Sequence, residues 1–468
     1  MVVQIACLCP AWGEAPQAHV GRGARPTYFH FWFSGIVRVM LVAMDQSAAA
    51  HLGRDRALLF AGRAIRMFAY GFMAVVLGQY LVALGYSETW IGVLLTMTLV
   101  GDTAISLWLT TAADRFGRRK TLLVGAGLML LASIGFALTD NFWLLLLTAT
   151  IGVISPSGNE VGPFLAVEQA SLSHVIADNR RTSIFAWYNL MGSFCTAVGA
   201  YAAGHLASTL QGHDVTALRS YQWVILGYGL LGLAMAGAFL CLSPGVEVSN
   251  PVRKPGMWLG LHKSKRTVLK LSGLFSIDAF AGGFVIMPFV ALWLKQKYQV
   301  SDARLGDVFF GANILAGFSA LSASWLAARI GLINTMVFTH LPSNILLMLV
   351  PLAAWIWPEN QWPAICLLWA RFAISQMDVP TRQSYTMAVV DPDERSAAAG
   401  VTGVARSVGA MAAPSLAGPL LHSVPFMSFP LYIGGGLKIV YDLLLYRSFQ
   451  KTKPPEEKQP ATTVQGSK

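Results

Sequence analysis

Ala113-Asp114-Arg115-Phe116-Gly117-Arg118-Arg119-Lys120 joins two long apolar runs, residues 90–111 and 121–139. Gly117 lets the chain reverse tightly. Four cations in so short a connection mark the cytoplasmic side of a membrane. The same alternation runs through the chain. Of its 468 residues, 55% are hydrophobic and 12% charged, with a mean hydropathy of +0.54; a soluble domain carries about 25% charged residues. Helices of about 20 apolar residues cross a bilayer. Twelve are predicted here: 67–85, 90–111, 121–139, 142–167, 183–209, 221–242, 271–294, 305–327, 333–357, 362–386, 397–424 and 427–447. The fold class is therefore an all-α polytopic membrane protein. A soluble enzyme, a disulfide scaffold and a disordered chain are excluded.

Loops after even-numbered spans hold 14 Lys and Arg, and those after odd-numbered spans hold 4. The first set is expected on the cytoplasmic side, with both termini. This asymmetry also accounts for the net charge of +11, so no nucleic-acid partner is expected. The basic linker 244–270 divides the spans six plus six. The expected organisation is an N-terminal extension 1–56, a bundle 57–243, the linker, a bundle 271–450 and a disordered tail 451–468. Five cysteines show no repeated spacing, and neither a disulfide framework nor a metal site is expected.

Shifting the chain by 214 residues superimposes Ser87 on Ser301, Gly92 on Gly306, Arg115 on Arg329, Gly117 on Gly331, Arg181 on Arg395 and Gly204 on Gly418. Glu160-Val161 meets Asp378-Val379 at a shift of 218. Two related six-helix bundles follow, with a pseudo-two-fold axis along the membrane normal. Carriers of this design bind substrate between the halves near the midplane.

With that repeat in place, the Asp-Arg-x-Gly-Arg-Arg loop resembles the cytoplasmic signature of the major facilitator superfamily. Ala328-Arg329-Ile330-Gly331 resembles a degenerate second copy. The resemblance covers about residues 57–450. It implies that Asp114, Arg115, Gly117 and Arg118 latch the cytoplasmic side, with Glu168 and Arg181 as partners and Arg395 as the repeat equivalent of Arg181. The family usually has glycine four residues before the aspartate; here it is Thr110. Asp378-Val379-Pro380-Thr381-Arg382-Gln383 resembles a segment of siderophore-exporter-like and multidrug carriers. Asp378 and Arg382, one turn apart, suit an ion pair at the helix end.

Ionisable residues inside spans are functional candidates. Asp102 falls about 18 Å into the second span at 1.5 Å per residue. Arg406 falls at similar depth in the eleventh, which faces the second in this superfamily. The two are expected to pair across the halves, either permanently or in step with proton binding. Asp102, Glu160 and Asp278 are the proton-coupling candidates. Asn189, Asn313, Arg371 and Arg406 are the substrate-binding candidates. Lys438 and Asp442, four residues apart, are expected to pair with each other. His205 and His340 read as lone core histidines.

The expected activity is secondary transport of a small organic solute by alternating access, coupled to protons and directed outward. Uptake of a small nutrient is the alternative. No nucleotide-binding loop and no catalytic constellation occurs in the sequence, so no ATP, cofactor or enzymatic activity is expected. The expected setting is a bacterial inner membrane, with the chain working as a monomer.

Overall fold

Proline punctuates the helices, and each interruption falls where a pyrrolidine ring cannot continue the backbone pattern. The computed structural model describes residues 50–155, 164–165, 167–168, 181–243, 246–247, 261–391 and 394–452. Fifteen α-helices have both ends among these residues, and 164–165 and 167–168 are helical as well. The first six are α1 (Ala50–Ala83), α2 (Glu88–Phe116), α3 (Arg118–Leu138), α4 (Phe142–Ile151), α5 (Arg181–Gly212) and α6 (Ala217–Leu240). The others are α7 (Lys265–Gly283), α8 (Met287–Tyr298), α9 (Asp302–Ile330), α10 (Leu332–Ile356), α11 (Trp362–Ser375), α12 (Asp378–Ala388), α13 (Arg395–Met411), α14 (Ala413–His422) and α15 (Phe429–Phe449). No strand occurs among the described residues.

Three expected spans are broken in two. The seventh divides into α7 and α8 ahead of Pro288, and the eleventh into α13 and α14 ahead of Pro414. The tenth divides at Gln376–Met377, between α11 and α12, with Pro380 in the first turn of α12. Merged across these breaks, the helices account for twelve spans. The fourth does not run unbroken from 142 to 167 as expected. Its helix ends at Ile151, and residues 152–155 are non-helical before Pro156. Among the described residues, seven helical stretches are long and apolar enough to cross a membrane unaided. Others, such as α15 with Lys438 and Asp442, are interrupted by charge.

The first helix begins at Ala50 rather than at residue 67, so residues 50–56 are part of α1. Its charged start is tied to the end of α6. Asp55 accepts from the Ser243 amide at 2.9 Å and from the Ser243 hydroxyl. Arg54 donates to the Cys241 carbonyl at 3.0 Å.

Helices α1–α6 and α7–α15 form the two halves, which meet where α5 packs on α9 and α14 packs on α2. The glycines matched by the internal repeat sit at these crossings. A Cβ on Gly92 would strike the Pro414 carbonyl and lie 3.2 Å from the Gly418 Cα. A Cβ on Gly306 would lie 3.3 Å from the Gly204 Cα. Hydrogen alone at these positions allows such close helix approach. Toward the other end the same helices part. Gly400 and Gly403 on α13 have nothing within 4 Å of a built Cβ. Trp108 and Leu107 on α2 are exposed, as are Val404 and Val408 on α13. A cleft between the halves is thus closed at the end holding Glu88 and Asp302. It opens toward the end holding Gly117 and Gly331, whose φ angles of +100° and +87° suit glycine.

Candidate functional site at the interface of the two halves

Two charged nodes flank the cleft, one in each half. In the first half, Arg66 on α1 grips Glu168 through two parallel bonds, 2.5 and 2.9 Å, with both side chains fully buried. The Tyr188 hydroxyl donates to the same carboxylate. Arg63, one turn earlier on α1, donates to the Tyr188 carbonyl at 2.8 Å and to Asn189 Oδ1 at 3.2 Å. A planar guanidinium matches a carboxylate in this two-point way, which an ammonium cannot do. Glu168, expected as a partner of the signature loop, is held by Arg66, which lies outside that loop.

In the second half, Asp278 on α7 binds Lys438 on α15 at 2.5 Å and Arg382 on α12 at 2.9 Å. Arg382 also meets Asp378 at 3.0 Å. Asp442 binds His340 at 2.8 Å and accepts from Asn344 at 3.0 Å. His340 Nε2 lies 3.8 Å from Asp278. Lys438 and Asp442 do not pair with each other, although their spacing permits it. α15 packs against both α7 and α10, so each finds a closer buried partner across a helix interface. His340, expected as a lone core residue, bridges two carboxylates. Arg382 and Glu168 stand 214 positions apart. The two buried ion pairs, Arg66–Glu168 and Asp278–Arg382, thus occupy equivalent helix pairs with the charges exchanged.

Arg406 turns toward this second node. Its electrostatic neighbours are Arg382, Asp278, Asp378 and Tyr441. Asp102, buried on α2, accepts from the Ser106 hydroxyl at 3.4 Å and neighbours Tyr228. The expected Asp102–Arg406 pair is absent, because each side chain points into its own half. Arg371 on α11 is half-buried near Asp278 and Asp378, and its Nε has no hydrogen-bond partner among the described residues. Asn313 donates to the Phe309 carbonyl at 2.8 Å, a bond within its own helix. Asn189 is exposed. Glu160 lies outside the described residues, as do the side chains of Asp114, Arg115 and Arg181.

At the open end, Gly117 precedes two amides, those of Arg118 and Arg119, which donate to the Glu247 carboxylate at 2.7 and 3.1 Å. Arg119 caps α6 by donating to the Leu240 carbonyl at 2.5 Å, and Arg395 donates to the Met387 carbonyl at 2.9 Å. A second carboxylate at this end, Glu394, is fully buried and accepts from the amides of His262 at 2.5 Å, Lys263 at 2.7 Å and Ser264 at 2.8 Å. Burial pushes its pKa up, but hydrogen bonds from the Ser264 hydroxyl and these amides outweigh burial and hold it at about 2, against an ordinary 4.5. A lowered folded-state pKa stabilises the fold above the unfolded value, and that stabilisation is lost as pH falls from about 4.5 through about 2. Glu394→Gln is expected to lower the melting temperature near neutral pH, with the gap from wild type narrowing below pH 4.5. Melting curves of both proteins across that range check this; a gap independent of pH contradicts it.

The closed end holds residues that the sequence reading passed over. Glu88, the first residue of α2, accepts from Gln296 of the other half at 2.6 Å and pairs with His422 of α14 at 2.7 Å. Asp302, the first residue of α9, accepts from Gln211 at 2.8 Å and from the Tyr221 hydroxyl at 2.7 Å, both of the first half. Lys295 adds a bond to Asp302 at 2.5 Å. Glu88 and Asp302 stand 214 positions apart, each following a serine that the repeat had already matched. His205 and Asp307 make one more inter-half pair, at 2.9 Å. That repeated Ser-acid dipeptide was the available signal.

The family model of the Major Facilitator Superfamily matches this chain twice, at residues 59–280 and 273–467. An uncharacterized membrane protein of Saccharomyces cerevisiae is 29% identical over 423 residues, 84% of this chain and 93% of that protein. A mutant form of the nucleoside transporter NupG is similar in structure, with a TM-score of 0.68 at 13% identity, covering 84% of this chain and 99% of that one. A D-xylose-proton symporter gives a TM-score of 0.64 at 12% identity, covering 84% and 97%. A bacterial homologue of the lysosomal transporter Spinster, inward-facing and occupied, gives 0.64 at 14%, covering 86% and 96%. The chain belongs to the Major Facilitator Superfamily. It is a multi-pass membrane protein and a secondary transporter rather than an enzyme.

Proposed function

We propose that this member of the Major Facilitator Superfamily exports a small organic solute in exchange for protons, working as a monomer. The observation that carries the reading is the asymmetry of the cleft. Its halves are joined by paired polar bonds at the Glu88–Asp302 end and separated at the Gly117 end. The basic loops put the open end on the cytoplasmic side. The conformation is then inward-facing, ready to take solute from the cytoplasm. Rocking of one half against the other would break the closed-end bonds and release solute on the far side.

Asp102 is the proposed proton carrier of the first half. It is buried on a helix that forms the inter-half crossing. Asp278 is less suited, since Lys438 and Arg382 occupy its two oxygens. Glu160 is retained as a second candidate from the sequence alone. Asn189, Asn313, Arg371 and Arg406 are the proposed solute contacts. Asp378, Arg382 and Arg395 are proposed, with the signature loop, to form the cytoplasmic gate.

Inverted membrane vesicles holding a proton gradient, reported by a quenched pH dye, test this reading with a broad solute panel. Solute-dependent proton release in wild type, reduced at least about tenfold in Asp102→Asn, is the expected result; general acid–base groups contribute on that scale or more. Equal release in both would remove Asp102 and keep exchange. No release with any solute, alongside uptake of labelled solute by whole cells, would reverse the direction.

A further inference from the structure

The second-half node carries more positive than negative charge. Its three carboxylates, Asp278, Asp378 and Asp442, face Arg382, Lys438, Arg371 and Arg406. Among the described residues, every ion pair of this node uses Arg382, Lys438 or His340. Arg371 and Arg406 take part in none of them, and neither makes a hydrogen bond among the described residues. Each lies within electrostatic reach of the same two carboxylates, Asp278 and Asp378. The two guanidiniums, carried by different helices, α11 and α13, therefore share the same pair of carboxylate neighbours.

A guanidinium N–H removed from bulk water without an acceptor is costly to maintain. Structural arginines in this protein show the alternative: Arg66 has both ends of its fork on a carboxylate. The Arg371 guanidinium instead lies 5.0 Å from the ring centroid of its neighbour Phe372. The buried Nε of Arg371 lacks an acceptor among the described residues. The matching acceptor set is a carboxylate or a phosphate monoester, planar or tetrahedral oxygens that take bidentate bonds.

We infer that Arg371 and Arg406 form an anion-recognition site on the second-half wall, and that the transported solute carries a carboxylate or phosphate group. This rests on the transporter reading above but is testable apart from it. The local surplus of positive charge disfavours a cationic solute at this wall. Anion entry would neutralise the surplus, and the buried Asp278 and Asp378 would keep the arginines oriented while the site is empty.

The experiment uses the full chain purified into lipid nanodiscs, with tryptophan fluorescence and melting temperature as readouts. The probes are benzoate, succinate, phenyl phosphate and inorganic phosphate, set against benzamide, glycerol and choline. At least one anionic probe is expected to bind saturably. Its affinity is expected to fall about tenfold or more in Arg371→Gln and in Arg406→Gln, the scale of one charge-assisted bond. The carboxylate and phosphate arms identify which acid is read. Arg406 lacks a structural bond to break, so Arg406→Gln remains informative should Arg371→Gln misfold. Binding of only neutral or cationic probes, or anion affinity unchanged in Arg406→Gln, overturns the inference. Flux of a neutral or cationic solute into proteoliposomes would keep transport and remove the anion site. Anion binding lost in both variants, with no flux of any solute, would keep the site and remove transport.

Discussion

Arg66→Leu is expected to destabilise the purified transporter by about 3–5 kcal/mol, the range for removing one partner of a buried ion pair. Glu168 is fully buried. Its two oxygens are engaged by Arg66 at 2.5 and 2.9 Å, and the Tyr188 hydroxyl is the other donor. Without the guanidinium, a carboxylate would be left among Phe164 and Val167, themselves buried. The double substitution Arg66→Leu with Glu168→Leu removes both charges and should recover most of the lost stability, because apolar replacement of a whole buried pair is often neutral or better. Arg66→Lys should fall between, having no two-point fork. The second half gives an internal control. Removal of Arg382 leaves Asp278 with Lys438 at 2.5 Å, so Arg382→Leu should cost less than Arg66→Leu. Denaturant titrations in one detergent rank the four variants. A double variant no more stable than Arg66→Leu would show that the pair acts through something other than its buried charge.

That pair also marks the boundary of what the sequence reveals. Helix number, the central division and the repeat follow from hydropathy, loop charge and a constant offset, because each is a property of segments. Breaks in the seventh, tenth and eleventh spans were visible as Pro288, Pro380 and Pro414, but a proline in an apolar run does not say whether the helix kinks or restarts. Partner choice was less legible. An i, i+4 spacing suggested Lys438 with Asp442, and facing spans suggested Asp102 with Arg406. In each case the rotation of a helix about its axis decides the outcome. Packing sets that rotation, and α15 presents Lys438 to α7 and Asp442 to α10. Arg63 and Arg66 were passed over for another reason: they lie where polar sequence hid the start of α1. The glycines matched by the repeat, by contrast, mark close crossings, since close backbone approach depends only on a missing Cβ.

The double variant Glu88→Gln with Asp302→Asn is expected to shift the conformational balance toward opening of the closed end by about a hundredfold. Each acid reaches across the halves: Glu88 to Gln296 at 2.6 Å, and Asp302 to Gln211 and Tyr221 at 2.8 and 2.7 Å. Hydrogen bonds to charged groups contribute about 1.5–3 kcal/mol each. Loss of one such bond at each acid therefore removes at least about 3 kcal/mol of bias, and 1.4 kcal/mol is tenfold in an equilibrium. Each single variant should shift the balance by about tenfold, since the repeat gives the two acids equal standing. Thr96 reports the change. Its hydroxyl meets Ser415 across the crossing at 2.7 Å, so Thr96→Cys in a background lacking the five native cysteines should be shielded from an impermeant thiol reagent. In the double variant it should label rapidly from the closed side. The bonds at issue exist only while that end is shut, so their loss acts on the balance of states and not on the fold of either half. Unchanged labelling would mean that the glycine crossings alone, Gly92 on Gly418 and Gly204 on Gly306, hold the end closed. The acids would then serve only as the first turns of their helices, where negative charge is favourable in any case.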